Sequence, residues 1–144
     1  MIPSNQGIDE RLFAVITETN SKAPFYLLTG ITTKTLGPGW VEMAVQTRDE
    51  HGNPLGITHG GLVSTLADAA MANAVRTTGK KGVTVNYGIN FFTTAPMGKE
   101  MVGRGRVDRI GSHLYFASAE VVCEDKVIAT TQGTFYIVGE IELD

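Results

Sequence analysis

Three things are scarce in this chain, and each scarcity removes a class of answer. One cysteine, Cys123, stands among 144 residues, so no intrachain disulfide forms and a reducing compartment is expected. No apolar run approaches the roughly 20 residues that cross a bilayer. No basic run stands out either: 12 lysines and arginines face 15 acidic side chains, for a net charge of −3, which argues against nucleic acid as a partner. The N-terminus, Met1 to Gly7, lacks the basic and apolar regions of a secretory signal. A cytoplasmic protein with no membrane partner is therefore expected. With 42% hydrophobic and 19% charged residues, the composition is that of a globular chain, and the length suits one domain spanning 1–144.

The polar and apolar residues fall into an ordered series. Ile8 to Thr19 reads as an amphipathic helix, with Leu12, Phe13 and Ile16 on one face and Asp9 and Glu10 in the first turn. Ile31 to Leu36 and Trp40 to Thr47 read as a hairpin turned by Gly37-Pro38-Gly39. A polar loop, Arg48 to Ile57, follows. From Thr58 the residues go apolar on nearly every side of a helix: Leu62, Val63, Leu66, Ala67, Ala69 to Ala72, Ala74 and Val75. Such a helix is buried, and its many small residues predict close approach by sheet backbone. Four long strands are then expected, over 82–94, 100–110, 112–123 and 127–138, with short turns that imply an antiparallel meander. One long buried helix with two strands before it and four after predicts an antiparallel sheet of about six strands wrapped around the helix, an α+β hotdog architecture. Apolar residues at both phases of the strands (Phe91 and Phe92, Tyr115 and Phe116) predict a homodimer and, more weakly, a tetramer.

Asp68 is the exception on the central helix. A carboxylate among alanines is costly to bury without partners. It fits two roles: a structural aspartate held by backbone amides or by Ser64 or Thr65, or a base or nucleophile facing a cleft with its basicity raised by apolar surroundings. His59-Gly60-Gly61, at the start of the helix, shifts the balance. Each glycine costs about 1 kcal/mol relative to alanine in a helix, and its use is to let a backbone or substrate approach free N–H groups. Gly60 suits an oxyanion donor and Gly61 close packing, while His59 suits capping better than base catalysis. His51, His59 and His113 lack ligand spacing, so no metal is expected.

Gly60 and Asp68 are eight residues apart, roughly 12 Å along one helix, whereas one carbonyl must lie about 3 Å from both donor and attacking group. If both act on one carbonyl, they come from two chains of a twofold dimer.

The run Asn53 to Gly61 followed by Asp68 resembles the hotdog thioesterases of the PaaI type, in the 4-hydroxybenzoyl-CoA thioesterase superfamily. The likeness extends over most of the chain, including Gly82 to Val85 and the Gly111 hairpin. It implies hydrolysis of an acyl-CoA substrate without a cofactor. Asp68 matches the family's catalytic carboxylate, Gly60 the amide that binds the thioester oxygen, and His59 the histidine before it. Asn53 matches an asparagine that holds the carbonyl or water, although a turn before Pro54 explains it too. Thr84 falls where relatives carry a water-positioning serine, yet threonine is also common in strands. Asn73 and Arg76 read as helix-end structure. Candidates for the coenzyme A phosphates are Arg104, Arg106 and Arg109, with Lys80 and Lys81 behind them, and for any single one of them a solvated strand face is the favoured reading. Phe25, Tyr26, Leu27, Phe91, Phe92 and Met97 suit an acyl pocket or a core.

Two rivals stay in view. A hotdog hydratase would want a differently spaced histidine, and a non-catalytic acyl-thioester sensor would bind without turnover. Serine and cysteine hydrolases fit less well, because Ser64 lacks an elbow motif and Cys123 a histidine partner.

Overall fold

The computed structural model describes residues 2–143. Strand β1 (Ser4–Asn5) leads into helix α1 (Glu10–Lys22), a short helix α2 (Pro24–Thr29) and the hairpin β2 (Thr32–Gly37) and β3 (Trp40–Gln46). The long helix α3 (Gly60–Arg76) follows, and then β4 (Lys80–Phe91), β5 (Glu100–Ile110), β6 (Leu114–Cys123) and β7 (Lys126–Glu140). Among the described residues no helix is long and apolar enough to cross a membrane.

Local chemistry sets the helix starts. The Asp9 carboxylate accepts the N–H groups of Arg11 at 2.7 Å and Leu12 at 3.4 Å and so caps α1. Pro24 occupies the first turn of α2, where its missing N–H is no loss. Gly30, at φ +83°, closes α2 in the left-handed conformation.

Seven strands form one sheet in the order β1-β2-β3-β5-β6-β7-β4. Every pairing is antiparallel except that of the two-residue β1 with β2. The expected hotdog architecture is present, with one correction. The last four strands are not a simple meander, because β4 pairs with β7 and β5 inserts beside β3. Residues 92–99 make the crossing, beginning where Phe92 N–H meets the Ile128 carbonyl and ending where Thr47 N–H meets that of Lys99. Eight extended residues reach roughly 26 Å, ample for three strand spacings of about 4.8 Å. The crossing leaves β4 on the sheet's edge.

The sheet curls around α3, and three glycines let it do so. A Cβ on Gly105 would lie 2.3 Å from the Ala70 carbonyl oxygen, on Gly103 3.0 Å from Leu66 Cγ, and on Gly133 3.1 Å from Met71 Sδ. Helix backbone therefore rests directly on strand backbone, as the small residues of α3 predict. Leu66, Met71, Ala74 and Val75 are fully buried in this contact, each large side chain contributing about 1.5–3 kcal/mol. The stripe left half-exposed on α3 is Ser64, Thr65, Asp68, Ala72 and Arg76.

Candidate active site

The first turn of α3 carries two features. His59 is its N-cap, with Nδ1 accepting the Gly61 N–H at 2.7 Å. The backbone N–H of His59 in turn donates to the His51 carbonyl at 2.8 Å, and the Leu62 N–H to the His59 carbonyl at 3.0 Å. This is the capping geometry, and it commits the Gly61 amide. The Gly60 N–H, by contrast, meets no acceptor among the described residues. A Cβ placed on Gly60 would lie 3.4 Å from the Phe91 ring, so that ring walls the open amide on one side.

Two turns further along, Asp68 is half-buried and accepts the Thr84 hydroxyl on Oδ1 at 2.9 Å. Burial pushes its carboxyl above the usual aspartate range, and the Thr84 hydrogen bond pulls it part of the way back. Thr84 faces α3 because a bulge between Thr84 and Asn86 in the β4–β7 ladder keeps Thr84 opposite the buried Phe135. Ser64, one turn before Asp68, meets the Tyr87 hydroxyl at 2.6 Å. Ser64 and Thr65, the side chains expected as structural partners of Asp68, bond Tyr87 and the Gly61 carbonyl instead, and Tyr87 carries no sequence signal because tyrosine is ordinary in strands.

Asn53 sits in the loop before the helix. Its Oδ1 accepts the N–H groups of Leu55 at 2.9 Å and Ile57 at 3.3 Å, a turn-forming role, while its side-chain amide donates to nothing among the described residues. One face of Asn53 builds the loop and the other is available.

The arginines lie elsewhere. Gly103 and Gly105 point into α3, so Arg104 and Arg106 project from the opposite face of the sheet. Arg104 pairs with Glu42 at 3.4 Å and Glu120 at 3.5 Å, and Arg106 with Asp108 at 2.9 Å. A bulge between Val107 and Arg109 keeps Arg109 opposite exposed Phe116 and thus on that same outer face, with no carboxylate partner among the described residues. The structure brings Asp68 and Thr84 together. It does not bring the arginines to them within one chain. Cleft size misleads here, because a cleft of about 1080 Å³ is on the outer face among Trp40, Glu42, Arg104, Arg106 and Glu120. Its charges already answer one another, whereas Gly60 and Asp68 present unfilled hydrogen-bonding capacity. Among the described residues no three His, Cys, Asp or Glu side chains converge as metal ligands.

Comparison with known proteins identifies the family. A family model described as the thioesterase superfamily matches residues 55–130, a span that holds both Gly60 and Asp68. Human acyl-coenzyme A thioesterase 13 is 32% identical over 111 residues, which cover 74% of this chain and 79% of that protein. The Escherichia coli PaaI protein from the phenylacetic acid degradation operon superposes with a TM-score of 0.87 at 20% identity, over 94% of this chain and all of that one. A Streptococcus mutans protein solved with acetyl CoA bound matches at TM-score 0.75 and 22% identity, over 78% of this chain and 91% of that one. The chain belongs to the thioesterase superfamily and is a hotdog-fold thioester hydrolase.

Proposed function

We propose that the protein hydrolyses acyl-coenzyme A thioesters, without a cofactor, at two sites shared across a homodimer. One observation carries this reading: α3 presents an unclaimed amide at Gly60 and a carboxylate of raised basicity at Asp68, two turns apart on one helix. With Oδ1 engaged by Thr84, Oδ2 of Asp68 is the oxygen left to hold a water. The ionised carboxylate takes a proton from that water as its oxygen attacks the thioester carbon. The carbonyl oxygen gains the negative charge and is met by Gly60 N–H of the other chain. Collapse breaks the carbon–sulfur bond, and Asp68 returns the proton to the departing thiolate. Acid and free thiol result. Asn53 supplies a second donor toward the carbonyl or the water, and His59 holds the glycine turn in shape by accepting the amide of the exposed Gly61.

The edge strand supports the dimer. β4 has no partner on its outer side among the described residues, and Val83 and Val85 are more than half exposed on it. An antiparallel join of two β4 edges sets two α3 helices side by side and antiparallel, the orientation in which Gly60 of one meets Asp68 of the other. Exposed Phe116, Tyr136 and Val138 support a further pairing of dimers. The acetyl CoA carried by the S. mutans relative and the name of the human one support coenzyme A as the thiol. Arg109, with Arg104 and Arg106 beside it, is the assignment for its phosphates.

Purified protein incubated with a panel of acyl-CoA compounds and a thiol reagent tests the reading. Release of free thiol is expected, with a loss of at least about 10³-fold in both Asp68→Ala and Asp68→Asn. Binding without release would favour the sensor, and full activity in both variants would remove Asp68 from the chemistry.

A further inference from the structure

Behind Asp68, on the side of α3 that the sheet leaves uncovered, a polar network crosses between three helices. Asn73 is 1% exposed. Its Nδ2 donates to the Ala69 carbonyl at 2.9 Å and to the Tyr26 hydroxyl at 3.1 Å. Its Oδ1 accepts Asn20 Nδ2 and Arg76 Nη1, both at 3.0 Å. Arg76 donates further to Asn20 Oδ1 at 2.8 Å and Thr19 Oγ1 at 2.6 Å, and it pairs with no carboxylate among the described residues. A cation bound only to neutral oxygens polarises the amide it touches. Asn73 is thereby a stronger donor to Tyr26, and a phenol that accepts such a bond is a stronger donor in turn.

The side-chain amides of Asn20 and Asn73 have every donor and acceptor engaged, Asn20 Nδ2 giving its second proton to Thr33 Oγ1 at 3.0 Å. The Tyr26 proton has no acceptor among the described residues, and the Asn73 bond fixes which side of the oxygen is left for it. Burial raises the phenol's pKa, Asn73 and Arg76 lower it, and the charge on Asp68 raises it, so the hydroxyl lies within electrostatic reach of the catalytic carboxylate. Asn73 is five residues beyond Asp68, about 7.5 Å along the helix. Ala72 lies between them on the half-exposed stripe and offers only a methyl. An acyl chain whose thioester carbon rests at Asp68 and which runs toward the C-terminal end of α3 passes over Ala72 and meets Tyr26.

We propose that Tyr26 is a specificity-determining residue: its O–H, oriented by Asn73, donates a hydrogen bond to an oxygen carried by the acyl chain several bonds from the thioester. The site accordingly favours oxygenated acyl thioesters over plain alkyl ones. The inference rests on Asp68 and Gly60 being the thioester site.

The test compares hexanoyl-CoA with its 3-, 4-, 5- and 6-hydroxy derivatives, in wild type and Tyr26→Phe. Each pair is read twice: as kcat/KM, and as Kd for the corresponding non-hydrolysable thioethers. Wild type is expected to favour at least one hydroxylated chain, and Tyr26→Phe to lower that preference by about tenfold, the worth of one neutral hydrogen bond. Asn73→Ser, which shortens the group that aims the phenol, should lower it by less. Circular dichroism establishes that each variant is folded. An unchanged preference in Tyr26→Phe overturns the proposal, as does equal treatment of all five chains by wild type. A uniform loss on all chains with a moved acid limb of the pH profile also overturns it, since Tyr26 would then act on Asp68 rather than on substrate. Discrimination in Kd without any turnover would leave Tyr26 standing and bring down the hydrolytic reading of the site.

Discussion

The two ends of α3 are both polar, yet they are built to opposite ends. At the C-terminal end, Asn73, Asn20 and Arg76 satisfy one another, and Asn73 is nearly sealed from solvent. At the N-terminal half, Gly60 keeps an amide uncommitted and Asp68 is held through one oxygen only. Buried polarity that is fully paired specifies packing. Polarity left open on an ordered scaffold is available for a substrate. The difference lies in unfilled hydrogen bonds rather than in residue type, and each half answers differently to mutation.

The largest separation is expected at Asp68. Asp68→Asn removes the base and at least about 10³-fold of kcat, yet it should stabilise the fold. Because burial raises the carboxyl's pKa, its ionisation is penalised in the folded state. The gain from Asn is therefore absent below the unfolded value near 3.8, grows as pH rises through the raised folded value, and is complete above it. Thermal melts at low and neutral pH read this directly, and equal melting temperatures at neutral pH would contradict it. Gly60→Pro should rank next. Proline is welcome at the first helical position, and His59 at φ −61°, ψ 132° already has the conformation that a following proline requires. The amide alone is deleted, with an expected loss of about 10²–10³ in kcat and a folded protein, whereas Gly60→Ala should change little.

The opposite end should show the opposite pattern. Asn73→Leu strands its partners and is expected to cost about 2–4 kcal/mol of stability, read by denaturant unfolding, with the chemical step largely kept on plain alkyl substrates. A loss of kcat matching that of Asp68→Asn would erase the contrast between the two ends. The smallest effect is expected at Thr84. Thr84→Val removes the hydrogen bond that lowers the Asp68 pKa, so activity should begin to fall at a higher pH on acidification. Thr84→Ser should restore the wild-type profile.

Much of this was legible in the sequence. The alternation of β3, the nearly all-apolar α3, the glycines that open it and the isolated carboxylate at Asp68 are local signals, and the hotdog sheet follows from counting elements. What was not legible is non-local. The place of β4 at the edge depends on which strand the crossing at 92–99 reaches, and no local periodicity encodes that. α2 escaped because its Phe25, Leu27 and Leu28 are mostly exposed, so they carry no burial period. Asn73 and Arg76 read as helix-end residues because their partner Asn20 is 53 and 56 positions away. The orientation of Arg109 depends on a bulge, a feature of pairing rather than of sequence.

The shared site is the central claim, and complementation tests it most directly. Asp68→Ala and Gly60→Pro, each nearly inactive alone, are denatured together at equal concentration, refolded and assayed. If Asp68 of one chain works with Gly60 of the other, a mixed dimer holds one intact site, and random mixing should recover about one quarter of wild-type activity. If both residues serve a site within one chain, every site in the mixture is damaged, and activity that stays at the level of the separate variants would contradict the account.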